Sequence, residues 1–147
     1  MEIRRAKKDQ WKEAAALALL LWPSHQKEEL EEEFQALLQD PQAAVFLAWQ
    51  GKEAVGFAQC GLRQDYVEGS ASSPVGYLEG IYVRPDCRRQ GLARALLSRC
   101  EDWSREKGCR QMGSDCSLEN RDSQRFHLHS GFDEAGQIRC FIKALEG

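Results

Sequence analysis

The chain has 147 residues, of which 42% are hydrophobic and 29% are charged, and its formal net charge is -3. These values predict one globular domain, residues 1–147, with a single hydrophobic core and no surplus for a second. They argue against a broad basic surface for nucleic acid and mildly favour a cationic ligand. Because the charged N-terminus lacks an apolar core region, we expect neither a signal peptide nor a membrane anchor, and we expect a cytoplasmic protein.

The first half of the chain predicts a strand, two helices and a β-hairpin. The strand covers residues 2–6, and Asp9 is the expected cap of a helix over residues 9–21. A second helix is expected over residues 26–39, with a core stripe opposite a run of glutamates between positions 28 and 33. We interpret that run as a solvated helix face, and a funnel for cations is the alternative. Residues 43–49 and 54–62 form the hairpin.

The second half predicts a polar loop followed by alternating strands and helices. Strands are expected over residues 75–83 and 109–116, and helices over residues 91–107 and 120–130. Two closing strands are expected near residues 134–138 and 140–145. Helices that follow strands imply crossover connections between parallel neighbours, so this order predicts an α/β fold with a mixed sheet.

The cysteines do not indicate a metal site or a disulfide scaffold. They show no CxxC pair and no histidine partner at zinc spacing, and they stand at positions 60, 87, 100, 109, 116 and 140. Their density is too low for a small disulfide-rich fold. We expect buried free thiols that pack as small hydrophobic groups.

A turn between the predicted strand 75–83 and the following helix predicts an anion site. It has the sequence Arg88-Arg89-Gln90-Gly91-Leu92-Ala93. Small residues let the backbone approach a ligand, and the first amides of a helix lack internal partners and point at any anion there. The spacing alone also fits an ordinary tight connection.

The same turn resembles the acetyl-CoA signature of the GNAT acetyltransferase superfamily. The shared pattern is an arginine, two further residues, a glycine, one residue and an alanine. Asn120 and the Gly131-Phe132 pair, which follows His127, are similar to the superfamily's final helix and strand. The resemblance spans residues 2–143. It implies the GNAT fold, a mixed, mostly antiparallel twisted sheet of about seven strands with about four helices. It also implies acetyl-CoA as co-substrate, bound by Ile81, Tyr82, Val83, Arg88, Arg89, Gln90, Gly91, Leu92, Ala93, Arg94 and Asn120.

Segments outside this turn resemble the type I aminoglycoside 6'-N-acetyltransferases more closely. They are Trp22-Pro23 with His25, Asp65-Tyr66-Val67 with Gly69, Ser72 to Val75, Leu78 to Ile81, Lys107 to Cys109, Ser114-Asp115 and Glu119-Asn120. The resemblance implies direct acetyl transfer to the 6'-amine of aminoglycosides, antibiotic resistance, and a homodimer. The sequence presents no convincing nucleophile for a covalent intermediate.

Two carboxylates are the candidate amine-binding and catalytic groups. Glu79 lies within a strand that should be apolar, and a buried charge is costly unless it is paired. A substrate ammonium would be such a partner, and an internal arginine such as Arg63 is the alternative. Asp115 follows the neighbouring predicted strand, so the two acids should converge; the alternative role of Asp115 is a helix cap. Trp22, His25 and Tyr66 would line the sugar cleft, although Trp22 also suits core packing.

Two positions depart from the family pattern. His127 stands where many relatives have the tyrosine that protonates the thiolate; it could act as that acid or be structural. Gly136 stands where relatives can have an acid that helps to bind the drug. The rival functions are a GNAT enzyme for another small amine or a protein N-terminus, and a non-catalytic acyl-CoA-binding module.

Overall fold

The computed structural model describes residues 1–146, which divide into two compact units. The first unit, Met1–Asp115, contains β1 (Glu2–Arg5), α1 (Trp11–Leu21), α2 (Lys27–Leu37), β2 (Ala43–Gln50), β3 (Glu53–Arg63), β4 (Val75–Val83), a 3-10 turn (Pro85–Cys87), α3 (Leu92–Glu106) and β5 (Met112–Ser114). The second unit begins at Cys116 and contains α4 (Arg121–His129).

The sheet follows chain order, β1-β2-β3-β4-β5. The pairs from β1 to β4 are antiparallel, while β4 and β5 are parallel. A short turn joins β2 to β3 and a loop joins β3 to β4, whereas α1 and α2 lie between β1 and β2. A parallel pair needs a long crossover connection, and α3 provides it. The predicted mixed, mostly antiparallel sheet with four helices is therefore confirmed.

Apolar residues on both faces of the sheet hold the first unit together. On one face α1 and α2 bury a cluster with β2 and β3, namely Ala14, Ala15, Leu17, Ala18, Leu30, Phe34, Val45, Leu47, Trp49, Ala54 and Phe57. On the other face α3 buries Leu92, Leu96, Leu97, Cys100 and Trp103. A large apolar side chain that is fully buried contributes about 1.5–3 kcal/mol, so these helices are fixed mainly by packing.

Helix and strand boundaries differ from the sequence prediction at several ends. The N-cap of α1 is Gln10, not Asp9, and its side chain accepts a hydrogen bond from the Lys7 amide (2.8 Å) instead of capping the helix. The strand predicted over residues 109–116 is confined to Met112–Ser114, because only those residues pair with β4. The glutamates of α2 lie on its exposed or partly exposed face, as expected for a solvated surface.

The two predicted closing strands are wrong within the part of the chain that is described. Residues 132–146 have no regular secondary structure, and the sheet has five strands instead of about seven. The apolar side chains there remain exposed, by between 72% and 102% of their area, at Ile138, Phe141, Ile142 and Leu145. An apolar pattern favours a strand, but a strand also needs a neighbouring backbone to pair with. No helix within residues 1–146 has the length and apolar composition to cross a membrane.

Candidate active site

The turn that leads into α3 has two residues in the left-handed region. Arg89 has a φ of 63°, and Gly91, the N-cap of α3, has a φ of 78°. Such a φ is uncommon for a residue with a side chain, and backbone strain of this kind is concentrated at functional sites. A Cβ built on Gly91 would meet nothing within 4 Å. Glycine is therefore favoured at this position by the backbone conformation and not by a lack of space within the chain.

Backbone amides at the start of α3 lie beside this turn. The amide of Ala95 donates to the Gly91 carbonyl (3.0 Å), whereas the amides of Leu92 and Ala93 come too early to reach a helical carbonyl. The partial positive charge of a helix N-terminus adds to these donors. Arg88 is tied to the end of β4, because its Nε donates to the Val83 carbonyl (2.7 Å). This arrangement can hold a phosphate group.

The strand β4 runs beyond the end of its parallel neighbour. Its pairing with β5 covers residues 76–78, and β5 ends at Ser114, so within residues 1–146 no β5 residue lies opposite residues 79–83. β4 therefore continues past the end of β5 after Leu78. The backbone of Ile81, Tyr82 and Val83 therefore has no β5 partner in the described part of the chain. The Val83 carbonyl accepts a hydrogen bond from Arg88, and an extended ligand could join the rest of this open edge as an additional strand.

Glu79 lies at a β-bulge, and it is not the buried carboxylate that its position in a strand suggested. Gln59 pairs with Gly80 and Cys60 pairs with Leu78, so Glu79 is the extra residue on β4. Its side chain is 31% exposed. The prediction of burial is wrong because the bulge takes this residue out of the regular ladder. Long-range pairing, which the local sequence does not encode, places the bulge.

Arg63 is the internal partner of Glu79. The Arg63 Nη2 lies 2.9 Å from Oε1 and 3.1 Å from Oε2 of Glu79, and Nε lies 3.4 Å from Oε2. The alternative prediction, that an internal arginine pairs with this acid, is confirmed. Both side chains are partly exposed, so the pair contributes only about 0–1 kcal/mol to stability. A pair this weakly held leaves Glu79 able to accept a further cation.

Asp115 is held by Tyr77, a residue that sequence reasoning missed. The Tyr77 hydroxyl donates to Oδ2 of Asp115, and burial followed by this hydrogen bond raises the pKa of the Tyr77 phenol. The Arg63 guanidinium carbon lies 3.6 Å from the centroid of the Tyr77 ring. The contacts therefore run from Asp115 through Tyr77 and Arg63 to Glu79, which brings the two predicted carboxylates into one connected group. The alternative role of Asp115 as a helix cap is wrong, because Asn120 caps α4.

Trp22 covers β4 next to Glu79. A Cβ built on Gly80 would lie 2.6 Å from Cη2 of Trp22, so the ring rests directly on the glycine. The ring also packs edge-to-face on Phe57, with 6.1 Å between centroids, and Trp22 is one of the partly buried residues against the core. Core packing, the alternative role, is thus confirmed for Trp22. The same position beside the bulge still allows it to line a cleft at Glu79.

The other two candidate residues of the sugar cleft are exposed. The His25 ring lies 6.3 Å from the Trp22 ring, between centroids. Tyr66 is 77% exposed in the loop between β3 and β4. That loop is tied to the end of the sheet, because the Gln111 side-chain oxygen accepts a hydrogen bond from the Ala71 amide (2.7 Å). These positions put an aromatic ring in solvent, where a ligand could stack on it.

The second unit contains the two remaining candidates. The side chain of Asn120 caps α4 by accepting a hydrogen bond from the Ser123 amide (3.0 Å). The Nδ1 of His127 lies 2.7 Å from the Ser123 carbonyl, an acceptor, which assigns a proton to Nδ1. The His127 ring lies between Phe126 and Phe132, with centroids at 5.8 and 5.1 Å. The histidine therefore has a fixed orientation, which both a structural and a catalytic role require.

The thiols show no sign of a nucleophile. Four of the six free cysteines are buried, and the other two, Cys116 and Cys140, are exposed. Contact with Cys60 and burial raise the pKa of the Cys100 thiol, and burial raises that of Cys109, which disfavours the reactive thiolate. Within residues 1–146 no group of three or more His, Cys, Asp or Glu side chains is arranged to hold a metal ion.

The strand β4, the left-handed glycine turn and α3 all lie within a segment that matches a known protein family. A model of the Acetyltransferase (GNAT) family matches residues 11–132. The chain belongs to the GNAT acetyltransferase family. This membership confirms the resemblance drawn from residues 88–93.

Relatives and solved structures within this family share nearly the whole chain. The type 1 aminoglycoside N(6')-acetyltransferase of Salmonella enteritidis is 39% identical over 143 residues, which are 97% of this chain and 99% of that protein. The enzyme of the same name from Stenotrophomonas maltophilia is 44% identical over 133 residues, 90% of this chain and 86% of that protein. The predicted resemblance to this subgroup is therefore confirmed.

Two solved structures of the aminoglycoside N-acetyltransferase AAC(6')-Iy are similar to this GNAT chain. One, in complex with CoA, has a TM-score of 0.94 and 38% identity, and the match covers 98% of this chain and 95% of that one. The other is in complex with the bisubstrate analogue CoA-S-monomethyl-acetylneamine, with a TM-score of 0.93, 38% identity and 98% coverage of both chains. The analogue joins the acyl carrier and an amino sugar in one molecule.

Proposed function

We propose that this GNAT protein transfers the acetyl group of acetyl-CoA to the 6'-amino group of aminoglycoside antibiotics and so confers resistance to them. The observation that carries this proposal is the similarity, over 98% of both chains, to a structure that binds an analogue of CoA joined to acetylneamine. The turn before α3, the open edge of β4 and the carboxylates of Glu79 and Asp115 provide the groups that such a pair of substrates needs.

The proposed acetyl-CoA site consists of the turn and the open strand edge. The backbone of residues 89–94 would bind the pyrophosphate, because it combines left-handed residues with amides at a helix N-terminus. The backbone of Ile81, Tyr82 and Val83 would pair with the pantetheine arm, and an amide near Ile81 would polarise the acetyl carbonyl. Acetyl-CoA supplies the activated acyl group as a thioester. Asn120 is a further candidate through its side-chain amide nitrogen, since its oxygen caps α4.

Glu79 and Asp115 would bind the cationic sugar. Their contacts with Arg63 and Tyr77 put both acids in one group, and two acids hold a polycation better than one. Only a neutral amine can attack the acetyl carbon, so the 6'-ammonium must first lose a proton. A carboxylate that is partly exposed, as Glu79 is, can accept that proton through water. The sulfur of CoA leaves when the new amide bond forms.

His127 would return a proton to the leaving thiolate. The hydrogen bond from Nδ1 to the Ser123 carbonyl fixes the ring and occupies the Nδ1 proton. In the charged form of the ring, the proton on Nε2 is therefore the one available for transfer. Trp22, His25 and Tyr66 would line the sugar cleft. Gly136, which offers no side chain where relatives can have an acid, would alter the range of drugs that are accepted.

The organisation of the protein is also part of this proposal. We treat residues 1–147 as a single GNAT domain, because the family match runs across both compact units. A homodimer would cover the exposed apolar side chains of residues 138–145. A cytoplasmic location is supported by six free cysteines, which are typical of reducing compartments, and by the use of acetyl-CoA.

The position of the acetyl group on the product tests the proposed function. The protein is incubated with acetyl-CoA and, in parallel, kanamycin, spermidine or a peptide with a free N-terminus, and release of the CoA thiol is followed. We expect release with kanamycin and an acetyl group on its 6'-amine by NMR. An aminoglycoside with a 6'-hydroxyl is the matched control and should give no product. Acetylation at another amine, or of spermidine or the peptide alone, would contradict the proposal.

A further inference from the structure

Tyr77 of β4 lies between two glycines, one on each neighbouring strand. It pairs with Gly61 of β3 on one side and with Gly113 of β5 on the other. A Cβ built on Gly113 would lie 3.1 Å from a ring carbon of Tyr77, so the ring lies over that glycine. The absence of a side chain at Gly113 gives the ring room to lie along the sheet, whereas a Cβ on Gly61 would not meet the ring.

The hydroxyl of Tyr77 reaches the carboxylate of Asp115. Asp115 follows β5 directly, outside the paired residues of the ladder, so strand pairing does not fix its side chain. The hydroxyl donates to Oδ2 of Asp115. Burial, followed by this hydrogen bond, raises the pKa of the phenol, so the hydroxyl keeps its proton at neutral pH and acts as the donor. A charged acceptor makes this a strong hydrogen bond.

The ring of Tyr77 also supports the second carboxylate. The guanidinium carbon of Arg63 lies 3.6 Å from the ring centroid, and Arg63 binds both carboxylate oxygens of Glu79. A guanidinium stacked on an aromatic face has its direction restricted. One side chain therefore contacts Asp115 through its hydroxyl and the partner of Glu79 through its ring.

We propose that Tyr77 is a positioning residue for the amine-binding site, holding Asp115 through its hydroxyl and the Arg63–Glu79 pair through its ring. This inference rests on the proposed function, since it assigns Tyr77 to the site at which the aminoglycoside would bind. Tyr77 acts on the substrate through the two acids and does not contact the reacting atoms. Preorganised carboxylates lose less conformational freedom when the substrate binds.

The test is a double-mutant cycle of Tyr77→Phe and Asp115→Asn. Tyr77→Phe removes the hydroxyl and keeps the ring, so the Arg63 stack remains. We expect kcat/KM for kanamycin to fall roughly ten- to hundredfold, the range for a hydrogen bond to a charged group. The Kd for acetyl-CoA, measured by calorimetry, should stay within about twofold, and this also shows that the variant folds.

The second half of the cycle separates positioning from a general structural effect. In the Asp115→Asn background, Tyr77→Phe should change kcat/KM by less than about threefold, because the two groups act as a unit. If Tyr77→Phe lowered kcat/KM in the Asp115→Asn background as much as it does in the wild type, the proposal would be overturned. An unchanged kcat/KM in the single variant Tyr77→Phe would also overturn it. If the wild-type protein acetylates no aminoglycoside, the proposed function fails and this inference fails with it. If the wild type is active and Tyr77→Phe matches it, only this inference fails.

Discussion

Gly80→Ala should destabilise the protein and displace Trp22. A Cβ at this position would lie 2.6 Å from Cη2 and 2.7 Å from Cζ2 of Trp22, and 3.2 Å from Cδ2 of Leu21. Carbon atoms in contact prefer a separation of about 3.5–4.0 Å, so the indole ring would have to move by about 1 Å. The ring cannot move freely, because it packs edge-to-face on Phe57 and against the core.

The cost of this displacement follows from the packing. Adding one carbon to a well-packed contact costs about 1–3 kcal/mol, and a rigid ring that must shift as a whole belongs in that range. Gly61→Ala is the matched control on the neighbouring strand, since a Cβ there meets only the Gln42 carbonyl at 3.4 Å. We expect it to change the free energy of unfolding by less than about 1 kcal/mol.

Denaturant unfolding, followed by tryptophan fluorescence, measures both effects. Gly80→Ala should unfold at a clearly lower denaturant concentration than the wild type, with a changed native emission spectrum, whereas Gly61→Ala should do neither. The KM for kanamycin should also rise in Gly80→Ala if Trp22 lines the sugar cleft. Equal unfolding midpoints for the two variants would refute the argument that the Trp22 ring is fixed against Gly80.

Substitutions at three candidate residues, two of them with a matched control variant, test the proposed site. Gly91→Val should weaken acetyl-CoA binding at least tenfold by calorimetry, because a branched residue resists the φ of 78°, while Gly91→Asn, which tolerates left-handed geometry, should bind more tightly than Gly91→Val. Glu79→Gln should raise the free-energy barrier measured by kcat/KM for kanamycin by about 2–5 kcal/mol if the amine is desolvated. Arg63→Met, which removes the internal partner of Glu79 and the stack on Tyr77 but keeps the carboxylate, should cost much less. An equal loss in the two variants would show that Glu79 serves mainly to hold Arg63. If His127 is the general acid, His127→Ala should lower kcat about a hundredfold. A loss below tenfold in the folded variant would assign protonation of the thiolate to another group.

The α3 turn and the strand before it were predictable from sequence because their signals are local. An uninterrupted run between a polar loop and Pro85 predicted β4 with its observed limits, Val75–Val83. The apolar spacing predicted α3 to within a residue at each end. Glycine at position 91 predicted the start of that helix, and its φ of 78° shows the backbone reason.

The environment of Glu79 depended on contacts across the sheet. The sequence predicted a charge within an apolar strand but not a bulge, because the bulge exists only in the register between β3 and β4. The sequence predicted Tyr77 as an ordinary strand residue. No local signal connected it to Asp115, which lies 38 positions away. Gly113, over which the Tyr77 ring lies, gave no local signal either, because only the strand pairing shows that it is a neighbour of Tyr77.

In the closing segment, by contrast, the local pattern predicted strands that do not form. Its apolar residues predicted strands near positions 134–138 and 140–145, and within residues 1–146 the sheet ends at β5. Periodicity records which side chains favour burial, whereas a strand forms only where another backbone supplies hydrogen bonds. The sequence by itself thus determined the glycine turn before α3, the helices α1 to α4 and the hairpin of β2 and β3, since these follow from local spacing. The tertiary structure decided which acids meet and what holds them, because those contacts join residues that are distant in the chain.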